Sequence, residues 1–191
     1  MRKQGVRTTR GSVRHAGAFA LALSAAVSPF VVPTASALAA GGKATAQVMG
    51  TDGKDLGTIE FEETLAGVLV VIRLKGLPPG GHGFHIHDIG RCEPPFASSG
   101  KILNPLNAKH GLRHDEGPAM GDMPNLYAAA NGDLTAEVLN PFVTLAADAD
   151  GSLLRESGTA VILRANPDDH QAQPEGNSGS PIACGVIKPA K

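Results

Sequence analysis

The sequence has little cysteine and no long uninterrupted apolar run. Only two of its 191 residues are cysteine, and neither lies near residues 33–40, where a lipid-bearing cysteine would follow the apolar segment. That segment, at residues 16–32, is interrupted by Ser24, Ser28 and Pro29, which leaves too little apolar length to span a bilayer comfortably. A retained membrane anchor is therefore the less favoured interpretation of the amino terminus.

The amino terminus instead has the order of a secretory signal peptide. Five basic residues and no acidic residue precede the apolar segment, and the small-residue stretch PTASALAA follows it. This order predicts export and cleavage after Ala39. Residues 1–39 are then the signal peptide, and residues 40–191 form one soluble domain.

The exported part lacks an excess of positive charge. Twelve basic residues stand against eighteen acidic ones in residues 40–191, a formal net charge of −6. This balance argues against nucleic acid or an anionic membrane as a partner. In an oxidising compartment the pair Cys92 and Cys184 is expected to form a disulfide, which would stabilise the fold by about 4 kcal/mol.

No helical pattern longer than a turn or two and no internal repeat is present, so residues 40–191 are predicted to be all-β. Two long polar loops, at residues 89–124 and 166–180, are of a length that is usually functional. The Asn-Gly pair at 131–132 predicts a hairpin between the fifth and sixth strands. These features predict an eight-stranded β-sandwich or flattened Greek-key barrel. The eight runs are KATAQVMG, GTIEFEE, GVLVVIRLKG, HGFHIHD, NLYAAA, DLTAEVL, GTAVILRA and PIACGVIK.

The stretch GFHIHDIGRC carries the first indication of chemistry. Side chains alternate along a strand, so His85 and His87 share one face and Ile86 points to the other. Two imidazoles so placed can bind one metal ion, and imidazole suits copper and zinc. An H-x-H pair alone does not distinguish a metal site from surface histidines.

Several motifs in order extend this pattern: GLPPGGHGFHIHDIGRC, then NP with KHG, GDMPN, PDD and GNSGSPIACGVI. Together they resemble the copper/zinc superoxide dismutase family in its bacterial secreted form, from about Lys43 to Ile187. The resemblance implies an eight-stranded Greek-key barrel, a periplasmic or secreted location, and superoxide as the family's substrate. It also implies that Cys92 and Cys184 form the family's disulfide and that His82 is a structural, hydrogen-bonding histidine.

The resemblance implies only half of the family's copper site. His85 and His87 match the two copper ligands of the H-x-H strand. The bridging histidine, shared with zinc, is replaced by Ile102 in GKILNP, and the fourth copper ligand by Arg164 in RANPDD. The guanidinium of Arg164 would repel copper, so we expect Asp168 or Asp169 to hold it away.

The resemblance implies an equally incomplete zinc site. His110 and Asp122 match two zinc ligands, whereas Ala119 in GPAMGD and the bridging position do not. Two ligands fall short of a closed structural zinc site, so we expect no zinc and interpret His110 and Asp122 as vestigial. Pro181 replaces the arginine that draws superoxide toward copper. Asp168 matches the aspartate that links the metal-binding histidines from behind, and a role in loop structure alone is the alternative.

Other loop residues are candidates for completing the site. They are His114, Asp115, His170, and the thioethers Met120 and Met123, which would suit Cu(I). The alternative is that the histidines are solvated and the methionines fill apolar positions.

Three functions are consistent with these residues. The first is an exported dismutase-like protein without efficient activity that keeps at most a weak copper site at His85 and His87, and that handles metal or acts through an unidentified protein partner. The second is an active superoxide dismutase with an atypical copper site. The third is a metal-free structural or interaction module. The joint replacement of ligands, while the framework residues persist, favours the first.

Overall fold

The computed structural model describes residues 42–190, so the signal peptide expected at residues 1–39 lies outside the described residues. In this part of the chain no helix has the length and apolar character to cross a membrane. Ten strands and one 3₁₀ turn are present. The strands are β1 (Lys43–Gly50), β2 (Asp55–Thr64), β3 (Gly67–Leu74), β4 (Gly80–His82), β5 (Phe84–His87), β6 (Leu126–Ala128), β7 (Leu134–Asn140), β8 (Ala160–Arg164), β9 (Pro181–Val186) and β10 (Lys188–Pro189); the 3₁₀ turn is Ala97–Ser99.

The strands form a strongly curled antiparallel sheet. Its order is β5–β8–β9–β1–β2–β3–β7, with β10 beside β1, and β4 and β6 form a separate pair. The consecutive strands β1, β2 and β3 are a meander, whereas β7 returns to β3 and β8 returns to β5 across long connections. The predicted all-β fold with two long loops is confirmed.

Two of the eight predicted strands are each divided in two. The fourth is interrupted at Gly83, whose N–H donates to the Asn166 carbonyl at 2.8 Å. A Cβ at position 83 would lie 2.8 Å from the Ser178 Cβ, so only glycine allows the second long loop to approach here. The eighth predicted strand is interrupted at Ile187, which separates β9 from β10.

The turn at Asn131 and Gly132 is present, but the predicted hairpin is wrong. The Gly132 N–H donates to the Ala129 carbonyl at 2.9 Å, and the Gly132 φ is 83°. The flanking strands nevertheless pair elsewhere, β6 with β4 and β7 with β3. The turn is therefore a corner between two sheets, which local sequence alone does not distinguish from a hairpin.

The core lies inside the curl of the sheet, and β5 is buried on both faces. Along β1 to β3, buried and more exposed residues alternate, as expected for strands with one solvated face. On β5, Phe84 and Ile86 belong to the main apolar core, while His85 and His87 point outward and are equally buried. The two long loops cover these histidines, so the imidazoles sit between the barrel and the loops.

The disulfide expected between Cys92 and Cys184 is present. It joins the first long loop to β9 across a sequence separation of 92 residues, with the two Cα atoms 5.7 Å apart. Cys184 packs beneath Phe96 with Ala160 and Ile162. The bond therefore fixes the start of the first loop against the outer face of the barrel.

Candidate metal centre

The first long loop is attached to β5 on both sides of the histidines. The Ile86 N–H donates to the Gly121 carbonyl at 2.9 Å, and the Leu103 N–H donates to the Ile86 carbonyl at 2.8 Å. A Cβ at position 121 would lie 2.2 Å from the Ile86 carbonyl oxygen, so a glycine is required there. As a result, isolated bridges pair His85 with Asp122 and His87 with Ile102. The expected copper and zinc positions are thus brought together.

His85 presents one ring nitrogen without a partner. Its Nε2 lies 2.6 Å from Oδ2 of the buried Asp168. A carboxylate accepts hydrogen bonds, so Nε2 carries a hydrogen and donates it to Asp168, and Nδ1 is the ring nitrogen left to offer a lone pair. Nδ1 is buried and has no hydrogen-bond partner among residues 42–190.

His87 has the opposite tautomer and also one free nitrogen. Its Nδ1 lies 3.1 Å from the Gly100 carbonyl and 3.0 Å from Ser99 Oγ, whose hydroxyl donates to the Phe96 carbonyl. Nδ1 therefore donates, and Nε2 is left with a lone pair and no partner in the described chain. Burial, then the neighbouring His85, and then Arg164 lower the pKa of His87 to about 3, so its ring is neutral at physiological pH.

These two free nitrogens fit a copper half-site. The rings of His85 and His87 are 6.5 Å apart at their centres and tilted by 36°. A metal–nitrogen bond of about 2 Å to each ring nearly spans this separation. Buried polar atoms without a partner are rare and costly, and a neutral imidazole lone pair is a good ligand for copper.

Arg164 is held by Glu175 and Ser178, and not by the aspartates that the sequence suggested. It is buried at the end of β8, where its Nη2 forms an ion pair with Glu175 and its Nε donates to Ser178 Oγ at 3.2 Å. The expectation that Asp168 or Asp169 would hold it is wrong. Asp168 bonds histidines instead, and Asp169 caps its own loop by accepting from the N–H groups of Gln171 and Ala172.

The zinc side of the centre consists of His110 and Asp122, which match family zinc ligands, and hydrogen bonds occupy both nitrogens of this histidine. His110 Nδ1 lies 2.6 Å from Asp122 Oδ1, and its Nε2 lies 3.2 Å from Asp168 Oδ1. Burial opposes protonation of His110, but the bonds to the two carboxylates outweigh it and raise its pKa to about 9. Burial likewise opposes ionisation of Asp168, and the bonds from His110 and His85 reverse this and lower its pKa. His110 is therefore an imidazolium between two carboxylates.

This donor set does not fit zinc. One ligand atom each of His85, His110 and Asp122 lie within 4.8 Å of one another, but His110 and Asp122 already bond each other. The other oxygen of Asp122 accepts from the N–H groups of Gly111 and Ala119 at 2.7 and 2.9 Å. Ile102 and Ala119 are buried and carry no donor atom. Two further protein ligands are lacking, so a closed four-coordinate site cannot form.

Most of the other candidates lie outside the centre. His114 accepts from the Glu116 N–H within its own turn, Asp115 is exposed, and the sulfur of Met123 accepts from the Asn140 amide. His170 is buried beside the centre, and its N–H donates to Asp168 Oδ1 at 2.6 Å.

Three further positions complete the description. His82 bonds the carbonyls of Arg164 and Pro78, both at 2.8 Å, which is the structural role expected for it. Met120 is half-buried and packs against the core, as the apolar alternative for the methionines predicts. Pro181 begins β9 and lines a cavity of about 420 Å³ with His87 and Arg164.

Several residues that position the centre were not predicted from the sequence. Asn125 holds the Asp168 backbone from both sides, since its Nδ2 donates to the Asp168 carbonyl at 2.8 Å and its Oδ1 accepts from the Asp168 N–H at 2.7 Å. Asn125 is the last residue of the GDMPN motif, and this position was the one feature of the sequence that could have pointed to it. Ser99, Glu175 and Ser178 lie in loops without periodicity, and no sequence signal pointed to them.

Fold and centre together define a disulfide-bonded β-barrel with a histidine and aspartate cluster beneath two loops. The family model for copper/zinc superoxide dismutase matches residues 56–187. The chain is 47% identical over 148 residues to superoxide dismutase [Cu-Zn] 2 of Aquifex aeolicus, covering 76% of this chain and 86% of that protein. It is 37% identical over 144 residues to the superoxide dismutase-like protein YojM of Bacillus subtilis, covering 74% of each. The chain belongs to the copper/zinc superoxide dismutase family.

A solved structure agrees with this assignment. It is a double mutant of a superoxide dismutase-like protein from Bacillus subtilis in which a tyrosine and a proline are replaced by histidine. The two folds superpose with a TM-score of 0.73 at 37% identity, over 74% of this chain and 95% of that one. The family thus includes superoxide dismutase-like members as well as proteins named as dismutases.

Proposed function

We propose that this protein is an exported member of the family that binds copper through His85 and His87 and does not catalyse efficient superoxide dismutation. The observation that supports this most directly is the pair of buried, unpartnered nitrogens, His85 Nδ1 and His87 Nε2. Asp168 and Gly100 fix the two tautomers from behind. The two side chains therefore offer neutral lone pairs from a preorganised position, which is what copper binding requires.

The loss of efficient turnover follows from the replaced positions. Copper in this family supplies one-electron chemistry with superoxide, and the protein must complete its coordination and attract the anion. Ile102 and Arg164 give no lone pair to a metal. Pro181 supplies no charge to superoxide, and the guanidinium of Arg164 is paired with Glu175. The chain thus keeps part of the binding function and lacks the groups for the reaction.

Export is part of the same proposal. The order of basic, apolar and small-residue segments in residues 1–39 supports a periplasmic or secreted location, and the Cys92–Cys184 disulfide is consistent with an oxidising compartment. Expression of the full chain in a bacterial host, followed by mass spectrometry of the amino terminus, is expected to find cleavage after Ala39. A full-length product retained with the cytoplasm would contradict export.

Copper binding is tested by metal analysis after equilibrium dialysis of the mature protein against Cu(I) under reductant and, separately, against Cu(II). About one copper per chain is expected in at least one of the two states, and Cu(II) that binds should show nitrogen hyperfine structure in its EPR spectrum. His85→Ala/His87→Ala should lose this copper, whereas His114→Ala, on the loop surface, should keep it. Equal copper in both variants would overturn the proposal.

Catalysis is tested on the same copper-loaded samples by superoxide disappearance. The expected rate is no higher than that of copper bound to an unrelated carrier protein. A much higher rate that is lost in His85→Ala/His87→Ala would establish the alternative function, an active dismutase with an atypical site.

A further inference from the structure

Arg164 is a buried positive charge that lines one cavity together with His87. Its side-chain stem packs over Gly83, where an added Cβ would lie 3.3 Å from the Arg164 Cγ. Its head is held by Glu175 and Ser178, and Ser178 in turn donates to the Glu175 carbonyl. Only 6% of the Arg164 side chain is exposed, so it is not free to rotate into solvent.

We propose that this fixed arginine makes the His85 and His87 pair select Cu(I) over Cu(II). The inference rests on the proposed copper binding at these two histidines and adds the oxidation state that the site holds. Arg164 would act on bound copper through its charge and not as a ligand, since a guanidinium offers no lone pair to a metal.

The donor set favours the lower oxidation state. The two imidazoles are neutral, and the nearest carboxylate, that of Asp168, is committed to His85 and His110. Cu(II) prefers a tetragonal set of nitrogen and oxygen ligands, which two imidazoles do not supply. Ile102, on the other side of His87, is aliphatic and cannot add a third ligand. Cu(I) is satisfied by fewer ligands and does not need an anionic one.

The charge of Arg164 also favours Cu(I) over Cu(II). Coulomb repulsion grows with the charge of the ion, so it is twice as large for Cu(II) as for Cu(I) at the same distance. Arg164 and His87 line one cavity of about 420 Å³, and the ion pair with Glu175 fixes the guanidinium there. Glu175 is 33% exposed, so solvent weakens its compensating effect on the interior.

The test measures both affinities on the mature protein. Cu(I) affinity is obtained under strict reduction by competition with a Cu(I)-specific chelator, and Cu(II) affinity by competition with a Cu(II) chelator. Arg164→Gln removes the charge at the site, and Arg73→Gln removes one from an exposed ion pair on β3 as the matched control. In Arg164→Gln we expect the Cu(II) affinity to rise on the order of tenfold more than the Cu(I) affinity. The Arg73→Gln protein should keep the wild-type ratio.

A second readout is the copper reduction potential, which should fall by about 59 mV for each tenfold change in the ratio of affinities. Arg164→Leu is a second neutral variant in case Arg164→Gln folds poorly, and Arg164→Lys keeps the charge and should keep the preference. Equal changes for both ions, or none, in the neutral variants would overturn the inference and leave copper binding intact. Absence of copper at His85 and His87 in the wild-type protein would overturn the proposed function and this inference together.

Discussion

The two halves of the centre have lost the same number of family ligands but have been rebuilt differently. On the zinc side, His110 bonds Asp122 through one ring nitrogen and Asp168 through the other, so neither nitrogen is free for a metal. On the copper side, His85 and His87 each keep one nitrogen without a partner. The difference lies in the hydrogen-bond partners, because carboxylates face both nitrogens of His110, whereas His85 has a carboxylate at Nε2 alone and His87 has only the oxygens of Gly100 and Ser99 at Nδ1. The zinc half is therefore closed by acids on both sides of its histidine, and the copper half keeps one free nitrogen on each ring.

Asp168 joins the two halves, and removing it should have the largest effect. Asp168→Ala leaves the buried imidazolium of His110 with one carboxylate and frees Nε2 of His85. We expect a loss of about 3 to 5 kcal/mol in the free energy of unfolding, measured by denaturant titration. Asp169→Ala, at the exposed neighbouring position, should lower the free energy of unfolding far less, because its hydrogen bonds lie in water. Similar losses in the two variants would mean that Asp168 does not link the halves.

The two halves should respond to opposite changes of pH. The pKa of His110 is raised to about 9. Its contribution to the free energy of unfolding is therefore complete below the unfolded-state pKa of 6.5 and is lost as the pH rises through 9. The contribution is about 3 kcal/mol, and His110→Gln should abolish this alkaline loss. The pKa of His87 is lowered to about 3, so the unfolded chain takes up more protons between pH 6.5 and 3, and stability falls on acidification.

Asp168 contributes to the same acid loss because its pKa is also lowered. His87→Gln should therefore reduce the acid loss without removing it. Denaturant titrations from pH 4 to 10 measure both effects. An alkaline loss that persists unchanged in His110→Gln would contradict the assignment of that loss to the zinc side.

Restoring ligands should reopen the zinc half through positions 102 and 119 and the copper half through position 164, with position 102 shared by both halves. Ile102→His with Ala119→His supplies the two missing zinc ligands, and we expect zinc affinity to rise on the order of a hundredfold, measured by competition with a zinc chelator. Arg164→His should raise copper affinity and leave zinc unaffected. If neither metal binds more tightly, the loops do not hold the family geometry at these positions.

The smallest effect should come from removing one hydrogen-bond partner of the His87 imidazole. Ser99→Ala removes one of the two oxygens facing His87 Nδ1 and leaves the Gly100 carbonyl. We expect copper affinity to fall by about tenfold, measured by chelator competition. Ser98→Ala, the neighbouring hydroxyl that accepts from the Glu93 N–H, should leave copper affinity unchanged.

The positions of the strands could be predicted from the sequence better than the hydrogen-bond partners of the side chains in the loops. The runs around β1, β3 and β9 were located closely because alternation and β-branched residues mark them, and the disulfide followed from two cysteines. The partner of Arg164 was not predictable, because Glu175 reaches it only through the path of an aperiodic loop. Asp168 bonds two histidines at once, as the resemblance implies for the linking aspartate, and the loop-only alternative does not account for these bonds. Hydrogen bonds across loops depend on where the backbone turns, and local composition does not encode this.

The disulfide also has a consequence for the order of maturation. Cys92 begins the segment that returns through Ser99 and Gly100 to accept from His87, and Cys184 anchors that segment to β9. In the reduced chain this segment is held by hydrogen bonds alone, such as those from the Asp88 and Ile89 N–H groups to the Lys101 and Ser99 carbonyls, so we expect His87 to be oriented less firmly. We therefore expect oxidation of the cysteines to precede copper capture, which makes assembly of the centre a sequential process governed by thiol chemistry.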